Sequence, residues 1–529
     1  METSTNKPLD VLIAGAGPVG LMMACQLALH NISFRIIDKR TTLPDYSGAL
    51  IVHARTMEIL HQMGIAEKAL KAGIVAHTIN IRFNHKKNYS LEISNFGKGL
   101  TGFPYLLMIE QGQTEKLLNQ FLNDHDHWVE RGVPLVSFKQ ENKMVTSEIR
   151  KTDGTVEIIK SRYLVGADGS DSLVRNQLGI SFPGKTQESR LFITDCKARL
   201  PLSGREIFFL FAKDLTSGFF PLKGNRWRVD GLIPDIQHEK VDFEEVRNWF
   251  GKKNHSGIEL FHPQWFSVFR SHSRCAERFR DRQCFLIGDA AHVHSPVGAQ
   301  GMNTGMHDAY NLAWKLAFVI RMKATEKLLD SYEAERKPLA LDIIRYTDLV
   351  YSFMTKNSVP ARIFRLRFIP LVLPILLYWI RSKNRIRNRI FLSVSGIGIN
   401  YKYSFLSATT GSDNFPSHSP KPGERFPYLT YEKRGEKLSF NDALIPIRFY
   451  LFVFGKHMLP ATFQKELIKY KGVIALKYIA KHTQTQPLFE IFGIIEEGCY
   501  LVRPDSYIAW RCQAFDEDGL NKYLKKVLK

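Results

Sequence analysis

Cysteine is scarce in this chain and nowhere clustered. The six residues, Cys25, Cys196, Cys275, Cys284, Cys499 and Cys512, form no CxxC pair and show no metal-ligand spacing. A dithiol redox centre and a zinc ribbon are excluded, and thiols scattered in this way are expected to stay reduced. The first nine residues are polar and lead directly into a strand, with no apolar leader and no cleavage site, so a cytoplasmic protein is the expectation. Internal repeats and low-complexity tracts are lacking too. Acidic residues are the last shortage: 52 Asp and Glu stand against 73 Lys and Arg, for a net charge of +21. The imbalance is local, because residues 349–412 hold ten Lys or Arg and no acid.

What is present is an ordinary globular composition, 44% hydrophobic and 24% charged, on a chain long enough for about two to four domains. Three glycine-bearing segments carry the chemistry. Residues 10–14 (DVLIA) read as a short apolar strand, followed by Gly15-Ala16-Gly17-Pro18-Val19-Gly20, an apolar helix over 21–29 and a second strand over 33–37 that Asp38 closes. In that strand–turn–helix–strand–acid context the glycine run is a dinucleotide-binding fingerprint. Gly15 makes the tight turn, Gly17 admits a pyrophosphate, Gly20 lets helix and strand pack, and Asp38 accepts a hydrogen bond from a ribose. Residues 163–180 (YLVGADGSDSLVRNQLGI) read as strand, turn and helix with an N-capping acid. Residues 288–316 (GDAAHVHSPVGAQGMNTGMHDAYNLAWKL) follow a strand-like stretch at 284–287. Asp289 stands at that strand's end, where a carboxylate meets a ribitol or ribose hydroxyl. Gly298, Gly301 and Gly305 let backbone N–H groups approach a flat ligand, and a helix starting near Asn303 aims its positive end at it.

Taken in order, the three segments resemble the GxGxxG, DG and GD motifs of the group A FAD-dependent aromatic hydroxylases, a family of flavin monooxygenases. Arg55 in HARTMEIL, Gln111 in MIEQGQTEKLL and residues 328–340 (LLDSYEAERKPLA) agree, so the likeness covers most of residues 8–345. The C-terminal third resembles the thioredoxin-like appendage of the phenol and polyketide hydroxylase branch. It lacks the redox CxxC and reads Pro504-Asp505-Ser506 where relatives usually read Pro-Asp-Gly. The resemblance implies an α/β and α+β architecture with four parts. A Rossmann-type FAD-binding domain takes 8–78, 101–180 and 271–345. A substrate-binding sheet domain takes 79–100 and 181–270, mainly antiparallel, as alternation over 79–94, 191–200, 206–211, 227–233 and 265–271 also indicates. A basic and apolar helical connector takes 346–400, and a structural or dimer-forming thioredoxin-like domain takes 401–529.

The resemblance also implies a site. FAD would be held by Gly15, Gly17, Pro18, Val19, Gly20, Asp38, Lys39, Arg55, Gln111, Asp168, Gly169 and Asp289, and by the loop residues Pro296, Gly298, Gln300, Gly301, Met302 and Asn303. In the family NADPH or NADH reduces FAD, molecular oxygen adds at C4a to give a hydroperoxide, and an aromatic substrate, commonly a phenolate, attacks the distal oxygen. The cofactor carries that chemistry, and the protein supplies positioning and dryness. His53 and Pro296 are the candidate catalytic residues. Phe219, Phe220 and Pro221 are the candidate substrate pocket, although these and the other strand aromatics (Phe103, Tyr105, Trp227, Phe269) read equally as core. Two departures stand out: Gly48 where relatives often carry arginine, and Ala299 where glycine is usual.

The implied function is NAD(P)H-consuming hydroxylation of an aromatic, phenolic or polycyclic compound. Beside it stand an oxygenase that inactivates a polycyclic antibiotic, a membrane-associated hydroxylase of a quinone or lipid precursor, and a non-catalytic flavin-binding regulator. A flavin halogenase is disfavoured because WxWxIP is absent.

Several other features are weaker. Residues 179–186 satisfy GxxxxGK[ST], but they follow a helix and precede a strand, the reverse of a P-loop, and Pro183 has no N–H to offer. His292 and His294 lack a third ligand nearby, so no metal is expected. Residues 368–380 (FIPLVLPILLYWI) lie between Arg362, Arg365, Arg367 and Arg381, Lys383, Arg385, Arg387, Arg389. Thirteen residues with two prolines are too few to span a bilayer. The segment reads either as connector helices with a buried apolar face and a solvated basic one, or as an interfacial element giving peripheral membrane contact through 362–389. No nucleic-acid-binding motif interleaves with the charge.

Overall fold

A computed structural model describes residues 8–43, 48–83, 87–200, 203–212, 216–233, 241–253, 258–356, 358–411, 414–433, 436–455, 459, 464 and 467–528. At its centre Leu9–Ala14 pairs in parallel with Phe34–Asp38 on one side and Val156–Gly166 on the other, and Val156–Gly166 pairs in parallel with Cys284–Leu286. Val11, Leu12 and Ile13 are wholly buried, the continuous apolar run of a parallel strand covered on both faces. Parallel pairing brings the ends of these strands to one edge of the sheet. Leu9–Ala14, Val156–Gly166 and Cys284–Leu286 are each followed by one of the three glycine motifs, so all three converge there.

The helix Pro18–Leu29 packs on the central helix Gln300–Ile320, which is buried nearly throughout. Gly305 makes that approach: a Cβ there would stand 2.5 Å from the Val19 side chain and 3.1 Å from the Gly288 Cα. Its smallness therefore serves helix packing, and not the ligand approach expected from the sequence.

A second sheet runs His292–Val293, Glu259–Cys275, Gly184–Arg199, Arg226–Leu232, Thr216–Leu222, Glu206–Phe211, Thr78–Phe83, Lys87–Glu92. Neighbours are antiparallel except Glu206–Phe211 with Thr78–Phe83. Alternation found its frame but missed Thr216–Leu222, whose Ser, Gly and Pro (TSGFFPL) blur the strand pattern. One face buries Phe192, Phe208, Phe219 and Phe250 in a core of its own. The other carries Ile207, Phe209, Phe220 and Leu222 into a cluster with Ile51, Ala54 and Met108 of the first domain.

In the C-terminal part Phe449–Gly455 lies parallel to Ile474–Ala480 and antiparallel to Gly498–Val502, which forms a hairpin with Ile508–Cys512; the helix Glu517–Val527 follows. This is a thioredoxin-like strand order. Register sets Cys499 opposite Cys512, both buried free thiols.

Buried charge joins this part to the rest. Glu335 accepts from Lys315 Nζ at 2.8 Å, from Arg503 Nη1 and Nη2 at 2.6 and 2.9 Å, and from Asn311 and Ser404. The adjacent Arg336 donates to Asp308 at 2.7 Å and to the Tyr401 hydroxyl at 3.0 Å. Glu335, Arg336 and Arg503 are shielded from solvent, so each charge depends on its partners. Burial alone would raise the Asp308 carboxyl, yet Arg336 and His292 hold it down at about 2.

Two outcomes follow. Arg503→Leu leaves Glu335 short of charge partners and is expected to cost about 3–5 kcal/mol, read as a lower urea midpoint for the intact chain; an unchanged midpoint would contradict the joint. The stability that Asp308 contributes is present above the unfolded carboxylate value of about 4 and is lost as pH falls toward 2, so acid titration of the folded signal in wild type and Asp308→Asn should diverge across that window.

Candidate active site

The glycine turn after Leu9–Ala14 is built for close approach. Gly15 sits at φ +104°, and a Cβ there would lie 2.3 Å from the Ala167 carbonyl oxygen; one at Gly20 would lie 1.9 Å from the Gly15 oxygen. Gly17 is different, because its added Cβ would meet nothing nearer than Arg40 Nη2 at 4.0 Å. An open backbone therefore faces outward at the N-terminus of Pro18–Leu29, where helix amides lack partners. Asp38 accepts from Ala16 N at 2.7 Å and from Arg40 N and Nη2 at 2.8 and 3.0 Å. Burial works to raise its carboxyl, but Arg40 and these amides bring it below the ordinary carboxylate range. Lys39 stands exposed outside the set, and Arg40 holds the position expected for it.

Gln111 accepts from Ala49 N at 3.1 Å and donates to Glu115 at 2.8 Å. Sequence reasoning missed Arg131. Register pairs it with Asp38, and its Nη1 and Nη2 are buried without a hydrogen-bond partner among the described residues. Orphaned guanidinium donors beside a carboxylate fit the ribose and phosphate end of a dinucleotide. Only strand pairing reveals it, because the short strand Val129–Arg131 carries no motif.

The second turn is locked from within. Asp168 accepts from Ser172 Oγ at 2.6 Å and Val174 N at 3.1 Å, while Gly169 at φ +86° faces open space. Arg175 ties this turn to the third, donating to the Ser170 and Ala290 carbonyls at 2.8 and 3.1 Å. In the third turn Gly288 N and His292 Nε2 both donate to Asp308, at 3.1 and 2.8 Å. Asp289 is exposed on this turn. Desolvation by the surrounding protein, with Asp308 nearby, raises its carboxyl above the ordinary range.

Residues 296–303 form the loop over this cleft. Pro296 and Gly298 are exposed, and Gly298 (φ +79°) and Ala299 (φ +52°) are both left-handed. For Ala299 that conformation costs ~1 kcal/mol relative to glycine. The helix then begins at Gln300, three residues before the expected start. Gly301 remains open, its added Cβ meeting only the His294 ring at 3.8 Å, while Met302 is buried.

His53 clamps the loop. Its backbone N donates to Asn303 Oδ1 at 2.9 Å, and its Nε2 lies 3.1 Å from the Gly298 carbonyl. A carbonyl only accepts, so Nε2 carries the proton and the buried Nδ1 has no partner among the described residues. Burial pushes the ring down to about 4, leaving a neutral imidazole. His53 therefore positions the loop through its Nε2–H, with the lone-pair nitrogen Nδ1 on the other side of the ring.

Three further expectations change. The Asn303 amide is committed to Ile51 O at 2.8 Å and Ala299 O at 3.0 Å, and the Gln300 amide to Val394 O at 2.9 Å, so both shape the loop and leave its backbone for a ligand. Arg55 does not reach the cleft. Its guanidinium, 3% exposed, donates to Glu58 and to the Asp505 carbonyl and lies against Tyr310 and Tyr507.

Above the cleft the second sheet presents its Phe220 face. Phe219 points the opposite way, into the core with Phe208 and Phe250, because successive strand residues alternate. Phe219 is therefore core, Phe220 is the pocket-side residue, and Pro221 is buried on the Phe219 side, opposite Trp227. Arg228 and Asp195 share the Phe220 face as a buried pair at 2.7 Å, with Trp265 Nε1 donating to Asp195 at 2.8 Å and Arg228 reaching the Ala49 carbonyl. Asp230, also on this face, escaped the sequence reading. Oδ1 accepts from Gly218 N at 3.0 Å, and a Cβ on Gly218 would stand 2.6 Å from that oxygen and 2.8 Å from the Phe220 ring. Burial raises the Asp230 carboxyl to about 6.

Lys185 of the P-loop-like run pairs with Asp348 at 3.1 Å. His292 and His294 do not converge: one meets Asp308 and the other the Ser295 carbonyl.

A dinucleotide cradle, a helix-led loop and an aromatic sheet face around one cleft define a flavin-dependent oxygenase. Known proteins agree: residues 8–347 match the FAD binding domain family, and residues 419–529 match the family described as aromatic-ring hydroxylase, C-terminal. The 6-methylpretetramide 4-monooxygenase of Streptomyces rimosus is 32% identical over 528 residues, 95% of this chain and 91% of that protein. The pentachlorophenol 4-monooxygenase of Sphingobium chlorophenolicum is 32% identical over 353 residues, 65% of this chain and 64% of its own length. The solved structure of OxyS anhydrotetracycline hydroxylase from Streptomyces rimosus superposes with a TM-score of 0.77 at 29% identity, covering 98% of this chain and 99% of that one. The chain belongs to the FAD-dependent aromatic-ring hydroxylases, and it is a monooxygenase whose co-substrates are oxygen and a reduced nicotinamide.

His53→Phe removes the donor to the Gly298 carbonyl. The lost hydrogen bond is worth about 0.5–1.5 kcal/mol, so FAD retention during dilution and filtration should weaken by roughly threefold to tenfold. Unchanged retention would remove His53 from the loop clamp.

Proposed function

We propose that the enzyme hydroxylates an electron-rich polycyclic phenol, consuming NADPH or NADH. One observation carries the reading: three glycine turns meet at one sheet edge beneath the Phe220 face, so a flat cofactor and a flat substrate share one cleft. The similarity to proteins named for a pretetramide and for anhydrotetracycline, running along almost the whole chain, supports a substrate larger than one ring. FAD, when bound, supplies hydride acceptance and oxygen activation.

The chain's own residues do the rest. Gly15, Gly17, Pro18, Val19 and Gly20 take the pyrophosphate, Asp38 and Arg131 the ribose end, and Gln111, Asp168, Gly169 and Asp289 the linking chain. Backbone amides at Gly298, Gly301 and Met302, with Pro296 beside them, border the ring. Phe220 packs on the substrate, and Asp230 takes the proton of its hydroxyl, since its second oxygen has no protein partner among the described residues. The six buried free cysteines support a reducing, cytoplasmic setting. Membrane contact through 362–389 would be peripheral, and a homodimer would form through the thioredoxin-like part.

Two experiments test this. Anaerobic mixing of the FAD-loaded enzyme with NADPH or NADH should bleach the flavin faster when the right polycyclic phenol is present; a panel in which no phenol accelerates reduction would overturn the reading. If Asp230 is the proton acceptor, kcat/KM rises as pH increases through about 6 and Asp230→Asn loses that limb, whereas retention of the limb would exclude Asp230.

A further inference from the structure

The connector exposes an apolar surface that nothing among the described residues covers. Val359–Ser382 forms a 24-residue helix with mean hydropathy 1.8 over its most apolar window, only 22% of which is buried. Pro370, Leu377 and Ile380 face inward. Outward stand Phe368, Leu371, Ile375 and Trp379, between 52% and 65% exposed. A soluble helix turns polar residues to water; one that is apolar all round and met by protein on a single face lacks its second solvent. The solvated basic face expected of a connector is therefore an apolar one.

Both ends of the helix are rooted in the same globular body. Arg365 is 1% exposed and caps the preceding helix Lys327–Thr355 through the Phe353, Met354 and Lys356 carbonyls, so it is no lipid ligand. Along the helix, the Tyr89 hydroxyl donates to Pro370 O at 2.7 Å, and Arg381 donates to Ser90 O at 2.5 Å. In the following helix, Asn384–Val394, Phe391 is seated against Gly97, where a Cβ would come within 2.3 Å of its ring. A segment held in this way is not free to cross a bilayer. Its flanks are basic: Lys356, Arg367, Arg381, Lys383, Arg385 and Arg389 are exposed, in a stretch from 349 to 412 that has no acid.

We propose that this outer face docks on an anionic membrane, its apolar side chains in the acyl boundary and its Lys and Arg on headgroups. The proposal deepens the peripheral-contact reading above and does not depend on the substrate. A second copy of the chain fits less well, because a twofold interface would set two basic flanks against each other with no acid between them.

Flotation of the FAD-loaded full chain tests the proposal. Wild type should float with phosphatidylcholine vesicles that contain phosphatidylglycerol, not with phosphatidylcholine alone, and release as salt rises. Leu371→Glu with Ile375→Glu should abolish binding, and Lys383→Glu, Arg385→Glu and Arg389→Glu should each weaken it about fivefold or more, with FAD content and NAD(P)H oxidation unchanged. Flotation without turnover would uphold docking and count against the hydroxylase reading alone. Absence of flotation, equal binding to both vesicles, or a wild-type dimer that the Leu371/Ile375 pair of changes makes monomeric would overturn the proposal.

Discussion

Asp308 is the residue on which the site hangs. One buried carboxylate receives the Gly288 amide, the His292 ring and the Arg336 guanidinium, so the turn bearing Asp289 is fixed by the same group that anchors the helix Lys327–Thr355. Arg336 continues to Tyr401, and its neighbour Glu335 continues to Arg503 beside Asp505. Two consecutive residues thus connect the cofactor turn to the C-terminal part. In a low-dielectric interior such pairs tolerate little displacement, because a lost partner strands a charge. The rigidity obtained is what a cleft for a flat, charged cofactor requires.

The three glycine motifs were legible in the sequence because each is a contiguous run whose spacing carries its own geometry. The antiparallel sheet was legible from alternation, and the C-terminal strand order from its resemblance. What the sequence hid depends on pairing across distance. Arg131 meets Asp38 only through strand register, and Asp230 shares a face with Phe220 only once Arg226–Leu232 is paired with Thr216–Leu222. Phe219 and Phe220 show the limit most sharply: one residue of parity separates core from pocket. Arg55 failed differently, since its contacts with Asp505 and Tyr507 lie some 450 positions away.

The loop 296–303 is held on two sides. His53 and Asn303 fix it to the first domain, and Gln300 fixes it to Val394 in the connector. Ala299 adds a left-handed strain that glycine would relieve. The connector touches the cofactor loop at the end of the helix Asn384–Val394 and carries its apolar face on the preceding helix Val359–Ser382.

The most direct test is isotopic. The FAD-loaded enzyme, supplied with reduced nicotinamide and a polycyclic phenol under heavy-isotope dioxygen, should yield a product carrying one labelled oxygen atom by mass spectrometry. Nicotinamide oxidation that yields only peroxide across such substrates, or a product whose new oxygen comes from water, would contradict the assignment.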